Sequence, residues 1–437
     1  MPKNITPRLI PTLLAVAFSG TASASGFALW EQNASGLGNA FAGSAAVAEN
    51  ASTIYFNPAG MTKLQAREFS VGANIITTSF KFQNSGSRVG AFQLAGDGGD
   101  GGGTSFVPNG YLSWQVAPDW YVGLGIGAPY GNVVEYDAPW KGSGHSNSFE
   151  IKTYNINPSV AWRANEWLSL GAGVSWQRMT ANYKAAVGIG GLTPAQTAAI
   201  AASRKEFDAD DDSWNWNIGA LFTVAPQTKI GISYRSATKY TLDGNISVTG
   251  PSAAINLAGS SGAKTEVKLP DLFILSIAQG IGDQWEILGD VSWMGWSSIQ
   301  ELDIIRTSPS LTSPAGSTAQ ILETKFNDTW RFALGANYKM SEDIKFRAGI
   351  AYDNSPVPNA EYRITSLPDN DRTWLTAGVQ WKPTKTSALD VGAAYIWVKD
   401  APINNPGWAR ANPPQGLLKG NYDDYSWLIG AQYSMGF

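Results

Sequence analysis

The run YSWLIGAQYSMGF, Tyr425 to Phe437, alternates residue by residue. Tyr425, Trp427, Ile429, Ala431, Tyr433, Met435 and Phe437 form an apolar row, and the row between them, Ser426, Gly430, Gln432, Ser434 and Gly436, is small or polar except at Leu428. Side chains of a strand point alternately to opposite faces, so one face meets an apolar medium and the other does not. Rings at both ends of the apolar row fit the two interfacial girdles of a transmembrane barrel; in the core of a soluble sheet their position would carry no meaning. One strand does not choose between these media, and its repetition does.

The same texture recurs from Arg67 onward. A first segment reaches about Phe82 and leads into the glycine-rich loop GDGGDGGG; a second and third, near 104–116 and 120–136, are joined by the tight turn Ala117-Pro118-Asp119. Further short turns fall at Arg163-Ala164-Asn165-Glu166, Pro226-Gln227-Thr228, Gly282-Asp283-Gln284, Met340 to Asp343 and Lys382 to Lys385. Long connections lie near 141–147, 185–206, 250–263, 307–317, 363–370 and 400–420. Short turns alternating with long loops, over about fourteen segments, match an outer-membrane barrel with periplasmic turns and external loops. Charge falls opposite the apolar rows: Ile344, Phe346, Ala348, Ile350 and Tyr352 oppose Lys345, Arg347 and Asp353, and Trp330, Phe332 and Leu334 oppose Arg331. Lys or Arg facing lipid at mid-depth costs roughly 2–4 kcal/mol, which assigns these charges to a polar lumen. A soluble β-sandwich, its charged face in water, accounts for neither the strand lengths nor the aromatic ends.

Composition agrees. With 18 Trp, 16 Tyr and 47 Gly among 437 residues, only 15% charged residues and a mean hydropathy of -0.14, the chain is too polar for a bundle of apolar spanning helices. The one long apolar run, Leu9 to Phe18, follows Lys3 and Arg8 and precedes Ala22-Ser23-Ala24. That order predicts a secretory signal peptide, residues 1–24, cut after Ala24. There is no Cys, which excludes disulfides and thiolate metal sites, and the net charge of -4 gives no sign of nucleic-acid binding. His145, the only histidine, sits in a predicted external loop and reads as an exposed loop residue rather than a catalytic base, so neither an enzyme nor a cofactor or metal site is expected.

Residues 25–66 are too polar to span a bilayer and too few for a domain of their own, yet Phe41, Ile54, Tyr55 and Phe56 need burial. A plug inside the lumen of the 67–437 barrel satisfies both. In the third segment Gly127-Ala128-Pro129-Tyr130-Gly131 interrupts the ladder, since proline has no N–H to donate and a neighbouring glycine marks a bend. Such a bend opens a gap in the wall.

GFALWEQNASGLGNAFAGSAAVAENASTIYFNPAGMTKL, with Asn57-Pro58-Ala59, resembles the N-terminal hatch of the FadL-type long-chain fatty acid transporters. FRAGIAYDNSPVP at Phe346 to Pro358 and SLPDNDRTWLTAG at Ser366 to Gly378 are similar to that family too, as are, more weakly, LPDLF at Leu269 and WMGWSSIQEL at Trp293. The resemblance implies an all-β fold: a monomeric, 14-stranded antiparallel transmembrane β-barrel of the bacterial outer membrane, plugged by its N-terminal hatch. It also implies passive carriage of hydrophobic molecules, long-chain fatty acids or in some branches aromatic hydrocarbons, past the lipopolysaccharide. Phe27 would lie near the internal pocket, and Ala128, Pro129, Tyr130 and Gly131 would form the kink through which ligand leaves for the lipid. A fatty acid needs a cation for its carboxylate, and Arg178, Lys184 and Arg235 are candidates. The helix-compatible stretch Leu192 to Ser203 is a candidate for an external groove. A diffusion porin, which would show large steady conductance, and an adhesin are the competing readings.

Overall fold

The computed structural model describes residues 26–88, 92–188, 190–407 and 416–437; the signal-peptide reading falls outside them. Fourteen strands close into one antiparallel barrel. They are β1 (Arg67–Asn84), β2 (Thr104–Ala117), β3 (Trp120–Gly127 and Gly131–Glu135), β4 (Ser148–Arg163), β5 (Leu168–Ala185), β6 (Arg204–Ala225) and β7 (Thr228–Arg235 and Thr238–Thr249). The circuit continues through β8 (Ser260–Leu269 and Leu272–Ile281), β9 (Trp285–Met294 and Glu301–Arg306), β10 (Thr318–Glu323 and Thr329–Lys339) and β11 (Ile344–Asp353). It ends with β12 (Arg372–Thr384), β13 (Ser387–Val398 and Ala401–Asn405) and β14 (Leu418–Gly436). Each strand pairs with the next, and β14 returns to β1 in register from Glu68↔Gly436 to Asn84↔Gly420. Closure leaves no edge strand, the condition for strands to lie in lipid.

Alternation sets which side chains meet lipid. On β14, Trp427 and Ile429 are 57% and 54% exposed while Leu428 and Gln432 between and beyond them are 3% and 1% exposed. Exposed rings gather toward the turn end, at Trp114, Trp120, Trp162, Trp285 and Trp381, and again toward the loop end, at Trp214, Trp330, Trp397 and Trp427. Leu, Ile, Val and Phe fill the band between, among them Ile75, Val174, Ile218, Leu334 and Ile350. Water would penalise such a belt at about 25 cal/mol per Å² of apolar surface. The apolar medium read from the alternation is therefore outside the barrel, and the sandwich reading fails on this point.

The interior holds the chain's N-terminal segment. It forms three short helical turns, Leu37–Asn39, Thr53–Phe56 and Pro58–Lys63, and the segment's apolar residues Leu37, Phe41, Ile54, Phe56 and Met61 are at most 2% exposed. Trp30, Phe41, Phe56 and Trp374 of β12 pack ring on ring at its centre.

Candidate functional site

The N-terminal segment is tied to the wall on many sides. Asn57 makes a local turn and a tether together: its Oδ1 accepts from Ala59 N (3.1 Å), while its Nδ2 donates to Ala45 O (2.7 Å) and to Ala220 O of β6 (3.0 Å). Pro58 follows at the first helical position, where its missing N–H costs nothing. Gly219 leaves the room for this contact, since a Cβ there would stand 2.1 Å from Asn57 Oδ1. Elsewhere Ala34 N donates to Gln432 on β14, Ser44 to Asp290 on β9, and Arg331 on β10 to Ala40 O. Glu49 sits between Lys345 and Arg347 of β11; burial alone would raise its carboxyl, but those two cations hold it well below the ordinary value. The lumen charges expected from alternation thus hold the inner segment instead of lining open water. Glu31, wholly buried beneath Arg372 and Arg331, is pushed by burial up to about 7.

Replacing Asn57 with Ala removes both tethers, to Ala45 O and to Ala220 O, each hydrogen bond contributing about 0.5–1.5 kcal/mol. Asn57→Ala should raise the steady ion conductance of the protein in planar bilayers above the native level. Unchanged conductance would contradict a sealing role for this residue.

β3 breaks at 128–130. The register passes from Gly127↔Asn155 to Gly131↔Lys152, so Ala128, Pro129 and Tyr130 stand against only Thr153 and Tyr154 of β4, one residue in excess. On its other side β3 pairs with β2 only from Ala117↔Trp120 to Gly110↔Ile126. Residues 104–109 of β2 keep their β1 partners and have none on β3. The glycine-rich loop bridges the outer end of this window, with Glu135 N donating to Gly101 O and Asp137 N to Gly98 O. Inside, the N-terminal segment satisfies the backbone that the break releases: Leu29 N donates to Pro129 O (2.8 Å), Gly131 N to Phe27 O (2.9 Å), and Gln32 Nε2 to Ala128 O (2.8 Å). The break and the segment behind it share their hydrogen bonds, so neither moves without the other.

Beyond that contact lies a partly open apolar cavity of about 40 Å³. Phe27 forms one end; Phe149, Ile151, Met179, Phe207, Leu242, Val267, Ile304 and Leu322 supply most of its walls, which are apolar. Phe27 also rests its ring on Trp296 (4.8 Å between centroids) and Tyr130 (6.3 Å), so the residue that bounds the space is the one whose carbonyl binds the break. One inward position further toward the loop end on three strands stand Lys205 above Phe207, Arg306 above Ile304 and Gln320 above Leu322. Lys205 Nζ donates to Gln320 Oε1, and Arg306 Nη1 to Ser261 Oγ (2.5 Å). The charged neighbour of Lys205 is Arg306, and neither forms an ion pair with a carboxylate among the described residues.

The expected cations lie elsewhere. Arg178 and Lys184 are on the outer face of β5, bound to Asp210, Asp212 and Glu206. Arg235 does face inward, but it is committed to Ser175, to Tyr55 O and to the Tyr55 ring, 4.5 Å away, and so holds the inner segment. The reading of His145 as exposed is also corrected. It is 5% exposed, its Nε2 lies 2.9 Å from Gly416 O, its carbonyl accepts from Tyr183, and burial pushes it down to about 4, so it is a neutral packing residue of the loop. The loop stretch does form a helix, Pro194–Ala201, with Thr193 and Gln196 capping each other, but none of its residues is buried. Among the described residues no His, Asp and Glu cluster could hold a metal.

Residues 15–437 match the family described as outer membrane protein transport protein (OMPP1/FadL/TodX). The long-chain fatty acid transport protein of Salmonella typhi is 30% identical over 445 residues, covering 97% of each chain. Among solved structures, a Pseudomonas aeruginosa FadL homologue superposes with a TM-score of 0.84 at 21% identity, over 94% of this chain and 99% of that one. The Pseudomonas putida toluene transporter TodX gives 0.67 at 16% identity, over 95% and 100%.

Proposed function

Because the chain belongs to the OMPP1/FadL/TodX family of outer-membrane transport proteins, and so is a carrier of hydrophobic compounds and not an enzyme, we propose that its cargo is a long-chain fatty acid. The observation that carries this reading is the pair Lys205 and Arg306 above an apolar space. Buried charges are ordinarily paired, and two desolvated cations with only neutral acceptors call for an anion from outside the chain. A carboxylate there would place the acyl chain among Phe207, Ile304 and Leu322, at about 0.8 kcal/mol per buried methylene. An aromatic hydrocarbon would fill the walls but leave the cations unanswered. The name borne by the Salmonella relative points the same way.

In this reading residues 25–66 are a hatch. Ligand filling the space pushes Phe27 aside, which withdraws its carbonyl from Gly131 N and loosens Leu29 from Pro129. The window beside β2 then lies open to the membrane, and the chain leaves sideways into hydrocarbon, where its hydrophobic free energy favours it. A monomer suffices, since window, hatch and pocket come from one chain. The test is uptake of radiolabelled oleate by cells lacking their own transporter and expressing this protein. Uptake that excess palmitate suppresses and excess toluene does not is expected; suppression by toluene alone would assign the cargo to the hydrocarbons.

A further inference from the structure

A second stretch of wall is irregular, far around the barrel from the break in β3. β7, β8, β9 and β10 are interrupted in turn, at 236–237, 270–271, 295–300 and 324–328. Below these interruptions β8 and β9 pair without a slip, from Leu272↔Met294 to Ile281↔Trp285. Above them the ladder consists of Ala263↔Arg306 and Lys264↔Ile305 alone, so 265–271 and 295–304 stand outside it.

The sequence supplies reasons for the unzipped seam. Pro270 has no N–H to offer a ladder. Continuing the upper register would set Glu266 opposite Asp303, and like charges directly opposite destabilise a sheet. Glu266 turns instead to Lys239 on β7, 3.1 Å away. The seam's two flanks also bound the apolar space: Thr265 and Val267 from β8, Leu302 and Ile304 from β9. Its outward residues Glu266, Lys268 and Glu301 are exposed and charged, which places it at the polar layer and not in the hydrocarbon. Arg306 stands at its upper end and Trp296, against Phe27, at its lower end. Tyr130 of the β3 break reaches the same level, its hydroxyl donating to Pro270 O (2.9 Å).

We propose that the β8–β9 seam is a second side opening, through which a single-chain anionic amphiphile lying in the outer leaflet loads the apolar space directly. Its head stays in the polar layer beside the exposed charges until Arg306 receives it. Its tail passes between Val267 and Leu302. Parting a regular ladder here would break a continuous row of backbone hydrogen bonds; over this stretch no ladder pairing has to part, and the bonds that cross are Gly295 N to Asp271 O (3.1 Å) and Ser298 Oγ to Lys268 O (2.7 Å), toward its lower end. The proposal rests on reading the space as the ligand pocket.

The chain has no Cys, so an engineered pair is the only thiol chemistry present. Full-length processed protein carrying Glu266→Cys and Asp303→Cys is reconstituted, mixed with phospholipid vesicles holding oleate in their outer leaflet, and its oleate occupancy followed in time by native mass spectrometry. The oxidised pair should load at least about tenfold more slowly than the reduced pair, and reductant should restore the rate. A control bond at Leu275→Cys and Val291→Cys, opposite each other in the regular ladder, should change nothing. Equal loading before and after oxidation of the seam overturns the proposal. If no bond forms, Asp303→Lys serves in its place: it turns the repelling pair into an attracting one and should slow loading, and an unchanged rate overturns the proposal equally. Absence of oleate from the reduced protein would overturn the pocket reading itself, a different result from a pocket that fills at the same rate with the seam shut.

Discussion

Deleting Pro129 alone should leave a barrel that folds and inserts but takes up almost no fatty acid. The register makes one residue the right number. Three residues of β3 face two of β4 between Gly127↔Asn155 and Gly131↔Lys152, and removing one lets the ladder run through. Alternation is repaired by the same step. Ahead of the break Trp120, Val122 and Leu124 point outward; beyond it Glu135 does, so the two halves are out of phase by one residue. A strand shifted by one residue turns every side chain to the other face, and an odd deletion puts the halves back in phase. Residues 104–109 of β2 would then gain partners and the window would close. Oleate uptake should fall at least about tenfold, toward the level of cells without the protein, while the amount of heat-modifiable barrel in the membrane stays the same. Native uptake by a barrel shown to be regular at β3 would mean that ligand leaves by another route.

The second large effect concerns the head group. Replacing Lys205 and Arg306 together with Met keeps much of their bulk and removes both charges. Hydrogen bonds to a charged group contribute about 1.5–3 kcal/mol each, so oleate binding should weaken by roughly a hundredfold or more. Oleyl alcohol, with the same chain and no charge, should bind within a factor of about three of its native affinity. Isothermal titration of both ligands into the detergent-solubilised protein separates the two contributions. Equal losses for acid and alcohol would show that the substitutions damaged the pocket; no loss for the acid would show that the cations serve something else.

Much of this could be read in the chain because lipid imposes a strict rule on it. Strand alternation, loop asymmetry and the ring positions follow from one physical demand, a closed wall with an apolar outside, and the strands from Arg67 to Phe437 obey it. The same rule, pressed further, already excluded two candidate cations. Arg178 shares its parity with Val174 and Trp176, and Lys184 shares it too, so both had to face outward as they do. Lys205, Arg306 and Gln320 escaped notice for a different reason. They come from three strands whose mutual register depends on where β7 to β10 break, and no local signal fixes that register. The burial of His145 is not legible locally because its partners are Tyr183 of β5 and the distant Gly416, which meet it only when two loops fold together. Residues 26–66 gave their need for burial but not their partners, since Asp290, Arg331, Arg347 and Gln432 are contributed by strands hundreds of positions away. Polar lumen residues look alike in sequence whether they bind water or a plug.

All of these expectations depend on an acyl chain occupying the space behind Phe27. The most direct measurement is a crystal structure of the protein with palmitate brominated at its terminal carbon, using anomalous scattering to locate the bromine. The bromine should lie among Phe207, Leu242 and Val267 toward Phe27, with carboxylate density between Lys205 and Arg306. Bromine found only on the outer surface, with side chains closed over an empty interior, would contradict the account.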